Sequence, residues 1–137
     1  MTFDATLAVV VALLAFALYL RTLAPGVLGG DSGEFQFAAW LGGFAHPTGY
    51  PLYLLMGWLW THVVPWGDPA WRMNLLSAIW GAAAVGMFYL LAAQLLPSCV
   101  TSQRTNTSWW STVGGRVSAF FAAMLFAVTP TFWSQAV

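Results

Sequence analysis

TLAVVVALLAFALYLRTL, Thr6–Leu23, carries no charged side chain before Arg21. A helix needs about 20 predominantly apolar residues to cross a hydrocarbon layer about 30 Å thick. This stretch meets that requirement, and Arg21 can snorkel from its last turn to the interface. A cleaved secretory leader is the competing reading. The residue ahead of the run is acidic, Asp4, where a leader carries basic residues, and the run exceeds a leader's usual apolar length of about 7–15 residues. The segment reads as a retained transmembrane helix that ends before Pro25 and Gly26.

Composition extends that reading to the whole chain. Of 137 residues 60% are hydrophobic and 6% charged, with a mean hydropathy of +0.74. Soluble domains are about 25% charged, so this chain lacks the polar groups to cover a surface facing water. Lipid is the solvent for most of it. There is no lysine, and Arg21, Arg72, Arg104 and Arg116 form no basic patch, which excludes nucleic acid as a partner. Cys99, the one cysteine, pairs with nothing inside the chain.

Working outward, the expected fold is an all-α integral membrane protein with about four transmembrane helices. These fall over residues 6–23, 51–64, 71–96 and 117–137, with a short interfacial helix over 32–42. EFQFAAWLGG is too short to span, so it is expected to lie at the membrane surface. Pro51 is placed to open the second segment, which is short for a span. The third carries Ala78, Ala82 and Gly86 at four-residue spacing, a pattern that lets membrane helices approach closely. Pro130 interrupts the fourth. Tryptophans such as Trp58, Trp60, Trp66 and Trp71 fit interfacial belts. Asp68 and Arg72, four apart, read as a pair at a helix start. His62, inside the second segment, reads as a helix–helix hydrogen bond before a proton relay. Asn106-Thr107-Ser108 is a glycosylation sequon, informative only on a lumenal face.

Chemistry concentrates in GGDSGEFQFAAWLGGFAHPTGYPLY, Gly29–Tyr53. It holds two of the four acidic residues, Asp31 and Glu34, and one of the two histidines, His46. A capping box would account for the acids, with Asp31 as N-cap and Glu34 at the third position satisfying free N–H groups. Against it stands the cost of acidic groups near lipid, which makes such a pair a functional candidate. A carboxylate at a dry membrane edge has a raised proton affinity and suits removing a proton from an attacking hydroxyl. His46 or a backbone N–H would steady a departing phosphate. A divalent metal is compatible with two carboxylates and a histidine, although the spacing matches no specific ligand pattern.

GGDSGEF, AHPTGYPLY, RMNLLSAIWGA and TPTFWSQAV together resemble one family of multi-pass membrane proteins, defined by an initially uncharacterised domain. It includes the eukaryotic transmembrane O-mannosyltransferases and belongs with the GT-C membrane glycosyltransferases. The resemblance implies a partial GT-C-like bundle, a polyprenyl-phosphate-linked sugar donor and a hydroxyl acceptor. It makes Asp31 the general base or acceptor-orienting carboxylate, Glu34 its partner, and His46 and Tyr50 the lining of the same cleft. The membrane would be a bacterial inner membrane or the endoplasmic reticulum. The family places the Asp31 loop outside the cytoplasm, whereas the arginine distribution favours the cytoplasm by a small margin; the family expectation is preferred. Relatives are several times longer, so the chain is expected to be an N-terminal piece, inactive alone. The alternatives are a small non-catalytic transmembrane subunit of a larger complex, contacting lipid and other subunits, and a transporter or channel fragment.

Overall fold

The computed structural model describes residues 2–101 and 109–137; the sequon and Arg104 lie outside the described residues. Six helices follow in order: α1 Thr2–Thr22, α2 Asp31–Leu41, α3 Pro51–Val63, α4 Pro69–Thr101, α5 Trp109–Ala127 and α6 Pro130–Ala136. No strand occurs among the described residues. The protein is an all-α membrane protein.

Each helix boundary has a local cause. Gly42 adopts φ 66°, ψ 30°, and Gly43 N–H donates to the Ala38 carbonyl at 2.8 Å, closing α2 with a left-handed cap. Pro51 opens α3, where its missing N–H leaves no donor unpaired. Asp68 Oδ1 accepts from the Trp71 N–H at 2.9 Å and so caps α4. Asp68 therefore forms no ion pair with Arg72, contrary to the expectation from their spacing. Arg72 instead turns back over the end of α3, donating to the carbonyls of Thr61, Trp66 and Gly67. The Thr61 carbonyl is an unpaired acceptor of the α3 end and the other two belong to the loop after it, and a cation is a natural group to satisfy them.

Length sorts the helices. α1, over Phe3–Thr22, and α4, over Pro69–Leu96, are long and apolar enough to cross a membrane. α5 and α6 qualify together as one broken span, bent by 66° at the break before Pro130. Among the described residues there are therefore two or three candidate spans where about four were expected. The difference lies in α3. With 13 residues it rises only about 20 Å, and it packs beside the first turns of α4, Trp60 Nε1 donating to the Arg72 carbonyl at 2.8 Å.

Two cores result, and α4 belongs to both. One joins α1, α4, α5 and α6 through Val11, Ala15, Tyr19, Ala78, Ala82, Val85 and Ala123. The Tyr19 hydroxyl donates to the Ala127 carbonyl at 2.9 Å, tying α1 to the end of α5. The other joins α2, α3 and the start of α4 through Ala38, Ala39, Leu54, Met73 and Leu76. The small residues anticipated on α4 lie inward: Ala78 and Ala82 are buried in this core, and Gly86 meets α1 at Ala8 and Ala12. Dispersion between closely approaching backbones holds such an interface in lipid, where no hydrophobic effect favours it.

A Cβ added at Gly86 would meet the Ala12 Cβ and the Ala8 carbonyl oxygen, each at 3.0 Å. Gly86→Leu is expected to push α1 off α4 and cost about 1–3 kcal/mol, read as a lowered thermal midpoint in detergent. Met87→Leu, at a 71% exposed neighbour, should leave the midpoint unchanged. Equal midpoints for the two variants would contradict this packing.

Candidate functional site

The site begins with the segment that leaves α1. Its backbone is held by two buried amides contributed by other elements. Asn74 Nδ2, on α4, donates to the carbonyls of Ala24 at 3.0 Å and Gly26 at 3.1 Å. Asn74 Oδ1 accepts from Gln36 Nε2 at 2.6 Å, and Gln36 Oε1 accepts from the Leu28 N–H at 3.0 Å. Gln36 and Asn74 are 5% and 4% exposed, so each bond forms away from water. Leaving one such group unpaired costs about 1–3 kcal/mol. The network holds residues 24–28 against α4 and sets where α2 starts.

Two glycines complete that start. Gly30, at the N-cap position, has φ 64° and ψ −143°, a conformation essentially reserved to glycine. At Gly33 a Cβ would collide with the Leu28 carbonyl oxygen. Asp31 is thus the first residue of α2 rather than its N-cap, and no side chain caps the helix. The capping-box reading fails for this reason: with Gly30 turned into its positive-φ conformation, the carboxylates are released from the helix end.

The loop between α2 and α3 folds back along α2 and brings His46 to Glu34. Glu34 Oε1 accepts from the His46 backbone N–H at 2.6 Å, and Oε2 lies 3.0 Å from His46 Nδ1. These hydrogen bonds, the side-chain one foremost, hold the Glu34 carboxyl below its ordinary value. Both side chains remain largely in solvent, 41% and 38% exposed, so solvent screening keeps the pair weak. Its consequence is geometric: a carboxylate on Nδ1 orients the ring and leaves Nε2 free. Asp31 is exposed and has no hydrogen bond or ion pair among the described residues. Ligand atoms of Asp31, Glu34 and His46 all lie within 4.8 Å of one another.

Phe35 organises the aromatic side. Its ring centroid is 5.7 Å from that of His46, 5.0 Å from Tyr50 and 5.6 Å from Tyr53. Tyr50 is half exposed and holds φ 41° at the start of α3. Behind these rings lies a cavity of about 350 Å³ whose walls include Ser32, Phe35, Gln36, Tyr50, Asn74 and Gln135. A second, of about 510 Å³, is lined by Leu52, Met56, Trp80, Ala84 and Phe132 between α3, α4 and α6. Tyr53, Ser77 and Gln135 line both. A mixed polar hollow, lined by Phe35 and Tyr50 but not by Asp31, Glu34 or His46, therefore shares a wall with a more apolar one.

The four residues singled out from sequence, Asp31, Glu34, His46 and Tyr50, stand together in the fold. His62 does not join them. Its Nδ1 lies 2.8 Å from the Trp58 carbonyl of its own helix, and its ring stacks on Trp40 with centroids 4.7 Å apart. The expected hydrogen bond to another helix is absent among the described residues. Gln36 and Asn74 went unassigned in the sequence, although an amide within an apolar helix signals a buried partner.

An all-α membrane protein with an exposed carboxylate–histidine cluster at the start of its second helix is the class these features define. Residues 31–137 match the protein O-mannosyl-transferase TMEM260 N-terminal domain, and the chain belongs to that family. It is 36% identical over 126 residues to the mouse protein O-mannosyl-transferase TMEM260, an alignment covering 85% of this chain and 18% of the mouse protein. Against the Dictyostelium discoideum protein O-mannosyl-transferase tmem260 it is 37% identical over 75 residues, 53% of this chain and 9% of that protein. The chain thus spans less than a fifth of the length of these relatives. No solved structure matches it.

Two outcomes test the site. Asn74→Ala leaves the Ala24 and Gly26 carbonyls without their donor and should cost about 1–3 kcal/mol, visible as faster amide exchange over residues 24–30. The Glu34 value is lower folded than unfolded, so its tie to His46 is fully present above the ordinary carboxylate range. The tie is lost as pH falls through the depressed folded value. The His46 amide resonance should titrate with that depressed midpoint, and Glu34→Gln should abolish the titration. An unaltered titration in that variant would detach Glu34 from His46.

Proposed function

We propose that this chain forms the catalytic-base side of a GT-C-type membrane glycosyltransferase. The reaction moves a sugar, mannose by the naming of its relatives, from a polyprenyl-phosphate-linked donor to a hydroxyl acceptor. The observation that supports this reading most is the convergence of Asp31, Glu34 and His46 beside Phe35 and Tyr50, which line a mixed polar cavity that shares Tyr53, Ser77 and Gln135 with an apolar one. A phosphate-linked sugar suits the first and a polyprenyl chain the second. Asp31, free of any cap or ion pair among the described residues, takes the proton from the acceptor hydroxyl. The acceptor oxygen bonds to the anomeric carbon as the bond from that carbon to the phosphate oxygen breaks, and the lipid phosphate leaves with the electron pair. Glu34 holds His46 through Nδ1, its Nε2 serves the departing phosphate, and Tyr50 lines the sugar side.

A divalent cation is a second reading of the same cluster, favoured by the 4.8 Å convergence of Asp31, Glu34 and His46. Such an ion would draw on those three residues and neutralise charge on the leaving phosphate. Since the relatives are far longer, the remaining donor contacts would come from elsewhere in a full-length protein.

The test is Asp31→Asn in a full-length protein carrying this domain. A general base contributes about 10²–10⁴-fold, so turnover should fall by at least that lower figure while expression and membrane insertion are kept. His46→Ala should reduce turnover less, since it removes a positioned group rather than the base. Full activity in Asp31→Asn would end the assignment, and activity unaffected by chelators would end the cation reading.

A further inference from the structure

α2 and α3 turn small residues inward and large ones outward. Ala38 and Ala39 are buried, and a Cβ at Gly57 would meet the Met73 side chain at 2.8 Å. Outward stand Phe37 and Leu41 on α2, Phe44 in the loop, and Leu55, Leu59 and Val63 on α3, each between 57% and 94% exposed. Trp40 of α2 and Trp58 of α3 both lie against the His62 ring, with centroids 4.7 and 4.8 Å away. The face therefore runs from one helix to the other. Residues 35–67 contain no Asp, Glu, Lys or Arg, and the acids of α2 are confined to its first turn.

Its depth follows from the helices beside it. The α1 span has 20 residues, which rise about 30 Å, the thickness of the hydrocarbon layer. Asn74 holds the Ala24 and Gly26 carbonyls, so α1 leaves the hydrocarbon at the level of Asn74. The α4 span is longer, 28 residues from Pro69, and its start passes that level by about 7 Å, into the headgroup layer. α2 and α3 seat on this part of α4. Trp60 donates to the Arg72 carbonyl, Met73 and Leu76 share a core with Ala39 and Leu54, and the Tyr53 hydroxyl lies 3.5 Å from Ser77 Oγ. Tryptophan and bulky apolar groups at this depth suit a membrane interface. A covering helix would be met by small residues, as α1 is at Gly86. We propose that the outward face of α2, α3 and their loop is a lipid-contact surface. It sits at the boundary of headgroups and acyl chains, in the leaflet where α1 ends, and sets the height of Asp31 and Glu34 relative to the lipid. The inference does not rest on the transferase reading.

A photoreactive p-benzoylphenylalanine at one position at a time tests the proposal, in the intact protein in phosphatidylcholine nanodiscs, with adducts mapped by mass. The positions are Phe44 and Leu55 on the proposed face, Leu13 in the middle of α1 and exposed as a lipid reference, and Ser32 as an exposed polar reference. Phe44 and Leu55 should give phospholipid adducts at a yield about equal to that of Leu13 and at least five-fold above that of Ser32. Attachment should fall on the glycerol or the first acyl carbons at Phe44 and Leu55, and farther along the chain at Leu13. Adducts to protein at both positions would overturn the proposal, since another segment or chain would then cover the face. Yields no higher than at Ser32 would place the face in water, and attachment as deep as at Leu13 would place it within the hydrocarbon; either result would overturn it as well.

Discussion

The hydrogen bond between Gln36 and Asn74 is the constraint from which the arrangement of the site follows. Two amides with one backbone donor and two backbone acceptors fasten the exit of α1 to α4. Each is buried, so the exchange against water that usually dilutes a hydrogen bond is unavailable, and an unmade bond carries its full desolvation cost. The loop has little choice of path as a result. Gly30 then makes its positive-φ turn where the network leaves it, and α2 begins with Asp31 at its first position.

α4 gives the molecule its economy of parts. Its central turns carry small residues that receive α1, and its first turns, with Met73, Asn74 and Leu76, receive α2 and α3. The two surfaces obey different physics. Contact with α1 depends on close approach and dispersion, because lipid is as apolar as the side chains that would leave it. Contact with α2 and α3 includes directional bonds from Asn74, Arg72 and Trp60, suited to a region where loops must end and turn. The cluster of Asp31, Glu34 and His46 lies on this second side, on α2 and the loop that precedes α3.

Several features were legible in the chain alone. An uncharged run before Arg21 and a 6% charged composition require a membrane protein whatever the fold. Ala78, Ala82 and Gly86 announce a close contact because only small side chains admit another backbone. Asp31, Glu34, His46 and Tyr50 stand out as polar or ionisable groups flanking apolar segments, and all four do converge. Other features were misread for identifiable reasons. Asp68 and Arg72 have the spacing of a pair, yet the carbonyls of Thr61 and of the loop after α3 compete for the arginine and Trp71 N–H for the aspartate. Pro51–Val63 has the hydropathy of a span, but length decides, and 13 residues are too few.

What the sequence by itself determined is therefore class and ingredients: membrane solvent, helices, their stops at proline and glycine, and the stretch that holds the ionisable groups. These depend on composition and on neighbours along the chain, where the governing energies are transfer to lipid and local backbone preference. The tertiary structure alone decided which groups meet. Gln36 and Asn74 are 38 residues apart, Glu34 and His46 are 12 apart, and Asp4 and Arg116 are 112 apart. No local rule pairs them. Their partners are fixed by how α2 and α3 seat on the first turns of α4 and how α5 runs beside α1, a matter of packing the whole chain satisfies at once.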